Sequence, residues 1–198
     1  STHSNQHDQY NAVLEKQGFE NVVHELVDRL QERSRRDFSP LTKLAIVCGY
    51  EHYTAILGNF ILSNPQVLKP ASPDMALVWG WHSAEETEHK AVCFDLYRAA
   101  GGRWPRRVLV FLLVTLNFTI MFGRLYFSLL HRDGRLRPSR LLGTIVQSLR
   151  FFFSGSGVAW HLLWHGIRYL SPLFHPWNQD NRRKLQAWLA INQTRLRE

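Results

Sequence analysis

The chain has 198 residues, of which 45% are apolar and 13% are aromatic, and its formal net charge is +8 at pH 7. This length and apolar content suffice for one well-buried core, which excludes an intrinsically disordered chain and predicts a single domain. The two cysteines, Cys48 and Cys93, have no CxxC partner. Their spacing excludes a disulfide-stapled or zinc-finger framework and is typical of small buried residues in a reducing compartment.

Helical spacing of apolar residues dominates the sequence and strand-like alternation is scarce, so we expect an all-α fold. Ser-Pro pairs at residues 39–40 and 72–73 each place a capping serine before a proline in the first turn, which predicts the start of a helix. Asn64-Pro65 and Gly101-Gly102 end the helices that follow these pairs. The first four helices are therefore predicted over about 1–17, 19–35, 40–62 and 73–100.

The character of the sequence changes after residue 102. Residues 108–123 form an uncharged apolar run that Arg124 closes. A helix that spans a bilayer needs roughly 20 apolar residues, and this run reaches that length only if residues 126–130 join it. We therefore favour a helix that is buried or lies in a membrane interface over a transmembrane one. Later helices are expected over about 141–153, 158–170 and from 178 onward.

Arginines are dense on both sides of these apolar segments, over residues 103–107 and 132–140. Such flanks favour anionic lipid headgroups at least as much as nucleic acid, and a basic surface kept for solubility fits them equally. We expect no nucleic-acid partner, and the oligomeric state stays open. No signal or transit peptide is visible, so the expected location is the cytoplasm, with association at the inner face of the membrane as an option.

The strongest candidate site is a group of ionisable residues in the predicted fourth helix. His82, Glu86 and His89 follow one another at i, i+4 and i+7, which puts two imidazoles and a carboxylate on one helical face. Glu-x-x-His is the spacing with which helical bundles present two ligands to a di-iron or di-manganese centre. Glu85 could replace Glu86 or support it. A solvated charged face is the alternative, but the apolar flanks predict burial and so favour a metal.

Glu51 is a second candidate ligand, because an unpaired carboxylate in the apolar stretch 46–57 would be costly to bury. In a carboxylate-bridged site, one helix supplies such a single glutamate. The adjacent His52 cannot face the same way as Glu51. It is either a donor that supports the site or, as we favour, a hydrogen-bonded core histidine.

Two further histidine pairs have the i, i+4 spacing that can chelate one metal ion. His3 and His7 lie on the first predicted helix among polar neighbours, where they suit a shared metal site or an exposed face. His161 and His165 have aromatic neighbours that suit a core pair or a membrane-interface belt. We do not assign the second pair as ligands.

Several of these strings together resemble the bacterial predicted metal-dependent hydrolase family. They are YEHYTA at 50–55, WHSAEETEHKAV at 81–92 with Phe94-Asp95, FHPW at 174–177, and the early His3, His7 and Asn11. The resemblance spans nearly the whole chain in the right order, and the Trp-His-x-x-Glu-Glu-x-Glu-His string is specific. It implies a metal-dependent enzyme for which hydrolase is a predicted label.

The resemblance also carries an expectation about the N-terminus. Members of that family usually have Gln-Glu directly before the position of Ser1, which would form a Glu-x-x-His pair ending at His3. The resemblance therefore implies that this chain lacks that glutamate and the helix before it. The chain does not begin with methionine, and we expect its natural start to lie upstream.

The expected architecture is a ferritin-like helical bundle with additional apolar C-terminal helices. Residues 1–102 would form the metal-binding core, and residues 103–198 would pack on the same domain. The predicted metal ligands are His3, His7, Glu51, Glu86 and His89. Glu85 and His82 are the predicted catalytic residues, as proton relays. The expected cofactor is a divalent metal, iron or manganese rather than zinc, in one or two copies.

Three functions fit these expectations. The first is a hydrolase in which the metal activates water. The second is a ferritin-like di-iron oxygenase or oxidase that acts on an apolar substrate. The third is a non-enzymatic, membrane-associated scaffold. Ligand chemistry favours the second and the family label favours the first, which we rank first. The expected substrate is a small molecule, and a lipid-like one would suit the apolar segments.

Overall fold

In the computed structural model, residues 10–13, 15–18, 24–155, 157–192 and 194 are described, and no strand occurs among them. The all-α prediction is therefore confirmed. The eight α-helices in this part of the chain are α1 (His24–Asp37), α2 (Pro40–Ser63), α3 (Pro73–His89), α4 (Val92–Ala99), α5 (Trp104–Arg132), α6 (Pro138–Phe153), α7 (Val158–Tyr169) and α8 (Arg182–Asn192). Short 3-10 turns occupy Pro65–Leu68 and Pro176–Asn178, and residues 10–13 are also helical.

The starts of α2 and α3 agree with the two Ser-Pro pairs. The Ser72 hydroxyl accepts a hydrogen bond from the backbone N–H of Met75, as a capping serine should. The predicted fourth helix, however, is two helices, because Lys90 and Ala91 separate α3 from α4. No glycine or proline marks this break. The Lys90 ammonium is buried and donates to Gln179 O and Asn181 Oδ1, so distant contacts fix the chain at this point.

The chain divides into two compact units. The core unit comprises the described residues of 40–114 and 151–198, and the second unit comprises those of 1–39 and 115–150. The division falls within α5 and α6. The organisation predicted from the sequence, with a boundary at residue 102, stays a prediction.

In the core unit, α2 is the central helix and contacts α3, α4, α7 and α8. Its apolar residues point in several directions, as expected for a helix enclosed on more than one side. The fully buried side chains around it include Phe94, Tyr97, Phe111 and Tyr169. Phe111 and Tyr169 lie with ring centroids 4.1 Å apart, and they join the start of α5 to the end of α7.

Small residues let α2 and α3 approach closely. A Cβ atom added to Gly58 would lie 2.9 Å from the carbonyl oxygen of Ser83, a backbone atom that cannot move without its helix. The next turn brings Thr54 of α2 to Glu86 of α3. Because later residues of α2 meet earlier residues of α3, the two helices run antiparallel.

The second unit contains the C-terminal part of α5 and most of α6. The Tyr126 hydroxyl and the Ser148 hydroxyl are 2.6 Å apart and join the two helices. Thr144 is buried and donates to the carbonyl oxygens of Arg135 and Arg140 at 2.9 and 3.0 Å.

By length and composition α5 could cross a membrane, which on its own is weak evidence. Of its residues, Arg107, Val110, Phe111 and Val114 are buried. Leu109, Leu112, Leu113 and Leu116 are each more than half exposed. Burial in the core thus does not account for the apolar run of 108–123 as a whole.

The close approach at Gly58 predicts a stability loss for Gly58→Ala. The added methyl group would overlap the Ser83 carbonyl, and such overpacking costs about 1–3 kcal/mol. Gly123→Ala is the matched control, because a Cβ at this position in α5 has no atom within 4 Å. The control should be neutral or more stable by up to about 1 kcal/mol. Urea unfolding measures the stability of both variants. Equal stabilities would contradict the close approach of Gly58 to the Ser83 carbonyl.

Candidate metal centre

Glu86 of α3 is the centre of the candidate site. Its side chain is 12% exposed, and its two carboxylate oxygens face different neighbours. Oε2 accepts a hydrogen bond of 2.5 Å from the Thr54 hydroxyl of α2. Oε1 lies 3.6 Å from His82 Nε2, one turn earlier on the same helix. The structure thus brings together a carboxylate and an imidazole at the contact between α2 and α3.

The sequence of α3 positions this pair. Ser83 and Thr87 are buried, and their hydroxyls donate to backbone carbonyls one turn earlier, at Trp79 and Ser83. With these hydroxyls satisfied inside the helix, the face that carries them can pack tightly against α2. Glu86 and His82 lie at the margin of this packed face, half-buried.

Glu51 of α2 lies one helical turn before Thr54, on the side towards α4. Its charge contributes to raising the pKa of Cys93 and, more weakly, that of Cys48. Burial is the main cause for both thiols, and it raises the pKa of Cys48 to about 12.

The remaining predicted residues differ in their positions. Glu85 is half-buried, whereas His89 is exposed at the C-terminal end of α3. His3 and His7 lie outside the described residues, so their assignment stays a prediction from the sequence. The structure thus brings His82 close to Glu86, while Glu51 lies one turn before Thr54 on α2 and His89 lies nearly one turn after Glu86 on α3.

The donor chemistry fits a divalent metal, because imidazole and carboxylate are ligands of zinc, iron and manganese. The 3.6 Å between His82 Nε2 and Glu86 Oε1 is longer than a normal hydrogen bond. It is a separation that two donors, each about 2.1 Å from one ion, can adopt. Among the described residues, no group of three or more His, Cys, Asp or Glu side chains is arranged to hold a metal ion.

Two other predicted histidines belong to the core. His52 Nε2 donates to the carbonyl oxygen of His165 at 3.0 Å, which confirms the hydrogen-bonded core histidine. The His52 ring lies 4.6 Å from that of Tyr169 and 5.2 Å from that of Phe174, measured between centroids. Burial lowers the pKa of His52 and of His165 to about 4.

The sequence analysis missed a buried polar network around Lys90. The Lys90 ammonium donates to Gln179 O at 2.6 Å and to Asn181 Oδ1 at 2.7 Å. It also lies 4.2 Å from the Trp177 ring. Burial lowers its pKa to about 8. The argument used for Glu51, that a charge within an apolar stretch needs a partner, would have singled out Lys90 beside Ala91 and Val92.

Comparison with known proteins gives one match. The family described as "Predicted metal-dependent hydrolase" matches residues 1–180. Neither the curated proteins nor the solved structures contain a significant match.

The lowered pKa values of His52 and His165 predict that the protein loses stability in acid. Their pKa values in the folded protein, about 4, lie below the ordinary value of 6.5, so the unfolded chain binds more protons between these limits. The two neutral imidazoles make their full contribution to the free energy of unfolding above pH 6.5, and this contribution is lost as the pH falls towards 4. Urea unfolding over this range should show a decreasing free energy of unfolding.

His52→Phe isolates the effect, because it keeps the aromatic contacts and removes one titrating ring. It should reduce the dependence on pH over this range. His131→Phe, at an exposed position near the end of α5, is the control and should keep the wild-type slope. If the free energy of unfolding depends on pH equally in the wild type and both variants, His52 is not one of the groups that cause the loss of stability.

Proposed function

The chain belongs to the predicted metal-dependent hydrolase family, and from this premise we propose that it is a hydrolase with its divalent metal at the contact of α2 and α3. The observation that carries the proposal is the environment of Glu86. Thr54 holds one carboxylate oxygen, while the other faces His82 at 3.6 Å. This is an oriented donor pair in a half-buried position.

Glu86 is the proposed principal ligand, with His82 as its observed neighbour and Glu51 and His89 as the further ligands predicted from the sequence on the same two helices. Glu85, half-buried beside Glu86, is the proposed proton relay. A bound divalent metal supplies Lewis acidity: it lowers the pKa of water and polarises an ester or phosphoester oxygen. Thr54 is a positioning residue, because its hydroxyl acts through the Glu86 carboxylate.

A second candidate, oxidative di-iron chemistry, is supported by the distribution of donors over the helices. Glu51 lies on α2, and Glu86 with His89 forms a Glu-x-x-His pair on its antiparallel neighbour α3. Di-iron proteins of the ferritin-like kind use a single glutamate on one helix and this pair on another. Iron or manganese is the proposed metal under either function.

Replacement of Glu86 tests the proposed site. Glu86→Gln should lose most of its bound metal, because the neutral amide is a much weaker ligand. Glu88→Gln is the matched control, since Glu88 lies exposed on the same helix. Elemental analysis after anaerobic loading with iron, manganese or zinc measures the metal content. Equal content in the two variants would overturn the assignment of Glu86.

Elemental analysis of metal content also decides the role of His82. Loss of metal in His82→Gln makes His82 a ligand, whereas retained metal with lost hydrolysis makes it the proton relay predicted from the sequence. Hydrolysis of a panel of nitrophenyl esters and phosphoesters tests the first function. Oxygen consumption by the iron-loaded protein tests the second. An absence of bound metal in the wild type would leave the non-enzymatic scaffold.

Replacement of Thr54 tests the positioning role. Thr54→Val keeps the shape of the side chain but removes the hydrogen bond to Glu86, and we expect metal affinity to fall about 10- to 100-fold. Thr54→Ser restores the hydroxyl and should recover most of the affinity. Metal titration monitored by calorimetry measures both. If Thr54→Ser binds metal no better than Thr54→Val, packing rather than the hydrogen bond explains the effect.

A further inference from the structure

Two helices of the core unit present apolar side chains outwards. On α5 they are Leu109, Leu112 and Leu113, and on α7 they are Trp160, Leu163, Trp164 and Ile167. Both sets follow a spacing of three and four residues, which defines one stripe along each helix. Leu113 and Trp164 are each 61% exposed, and Leu173, shortly after α7, is 86% exposed. We call these residues the apolar face.

Hydrogen bonds and a ring contact join the beginning of α5 to the end of α7. Buried Arg107 donates to the carbonyl oxygens of Tyr169 and Ser171 at 3.0 and 2.6 Å, and the Trp104 indole donates to Leu170 O at 2.9 Å. Further along, Phe111 packs on Tyr169. The beginning of α5 is thus fixed to the end of α7. Each stripe therefore has one end near this junction, at Leu109 on α5 and at Ile167 on α7.

The same part of the chain carries the positive charge. The parts of the core unit that carry the apolar face, residues 96–114 and 151–179, contain five arginines and no aspartate or glutamate. Arg103, Arg106 and Arg168 are exposed where α5 begins and α7 ends, next to the apolar face. Exposed apolar patches with a polar border are typical of surfaces that bind a membrane or another protein.

We propose that the apolar face docks on a bilayer that contains anionic lipids. The apolar stripes enter the boundary between headgroups and acyl chains, and the arginines at their edge contact lipid phosphates and carboxylates. Tryptophans such as Trp160 and Trp164 are side chains suited to that boundary. The complementary charge of the border selects anionic lipid as the occupant over a second, equally basic copy of this chain.

The length of α7 fits docking in the plane of the membrane. Helix α7 has 12 residues, which makes it about 18 Å long, too short for a hydrocarbon core of about 30 Å. Its inner side carries the buried His165, and the adjoining side of α5 carries the buried Arg107. The exposed stripes of α5 and α7 can therefore contact lipid, while the buried sides of the two helices remain packed in the core unit.

Vesicle binding tests the proposal. The full chain is sedimented with vesicles of phosphatidylcholine alone or of an equal mixture with phosphatidylserine. The wild type should bind the mixed vesicles more tightly, and added salt should weaken this binding. The double variant Leu113→Glu with Trp164→Glu should lose binding to both kinds of vesicle. Ile191→Glu, at an 81% exposed position on α8, is the control and should bind like the wild type.

A second variant separates charge from apolar contact. Arg103→Gln with Arg106→Gln should weaken binding to the mixed vesicles about thirtyfold, because each arginine contributes about a factor of five at an anionic surface. Its binding to phosphatidylcholine should stay unchanged. Circular dichroism melting confirms that each variant is folded. These experiments do not involve metal, so their outcome is independent of the proposed hydrolase site.

Two results would overturn the proposal. One is a wild-type protein that stays in solution with both kinds of vesicle. The other is a wild-type dimer, measured by light scattering, that the Leu113→Glu and Trp164→Glu pair dissociates while vesicle binding is unchanged. The second result would assign the apolar face to a contact between copies of the chain.

Discussion

The polar side chains in the middle of α2 impose the main constraint on the core unit. Because α2 is enclosed by other helices, its buried polar groups need partners, and three of them have a partner on a different neighbouring element. Thr54 donates to Glu86 of α3, and His52 donates to the His165 carbonyl of α7. Asn59 accepts from Asn181, directly before α8. Hydrogen bonds of this kind specify which helix lies on which side of α2.

The candidate metal centre depends on the same constraint. Thr54 contributes to the packing of α2 and also fixes one oxygen of Glu86. The half-buried pair of His82 and Glu86 lies one to two turns before the end of α3, where His89 is exposed and the helix breaks. Lys90, held by residues from the far end of the sequence, sets the position of this break. The polar network therefore supports the site without being part of it.

Sequence reasoning predicted the helices whose signals are local. The start of α2 and that of α3 follow from Ser-Pro pairs, and Glu86 follows from its spacing to His82 and His89. The break between α3 and α4 was not predictable, because its cause is a contact of Lys90 with residues about ninety positions away. Thr54 was missed for the same reason: nothing in its neighbourhood along the chain indicates a carboxylate on another helix. The exposure of the apolar stripe on α5 could not be predicted either, because it depends on which other helices pack on α5 in the fold.

The long separation of these contacts also bears on synthesis at the ribosome. His52, Asn59 and Lys90 leave the exit tunnel well before their partners at 165, 179 and 181. Until those partners emerge, α2 and α3 can pair locally, but the polar groups on the other sides of α2 stay solvated and the core unit cannot close. The apolar stripes of α5 and α7 emerge during this interval. A nascent chain of this kind exposes apolar surface before its core is complete, which is the condition under which folding intermediates aggregate.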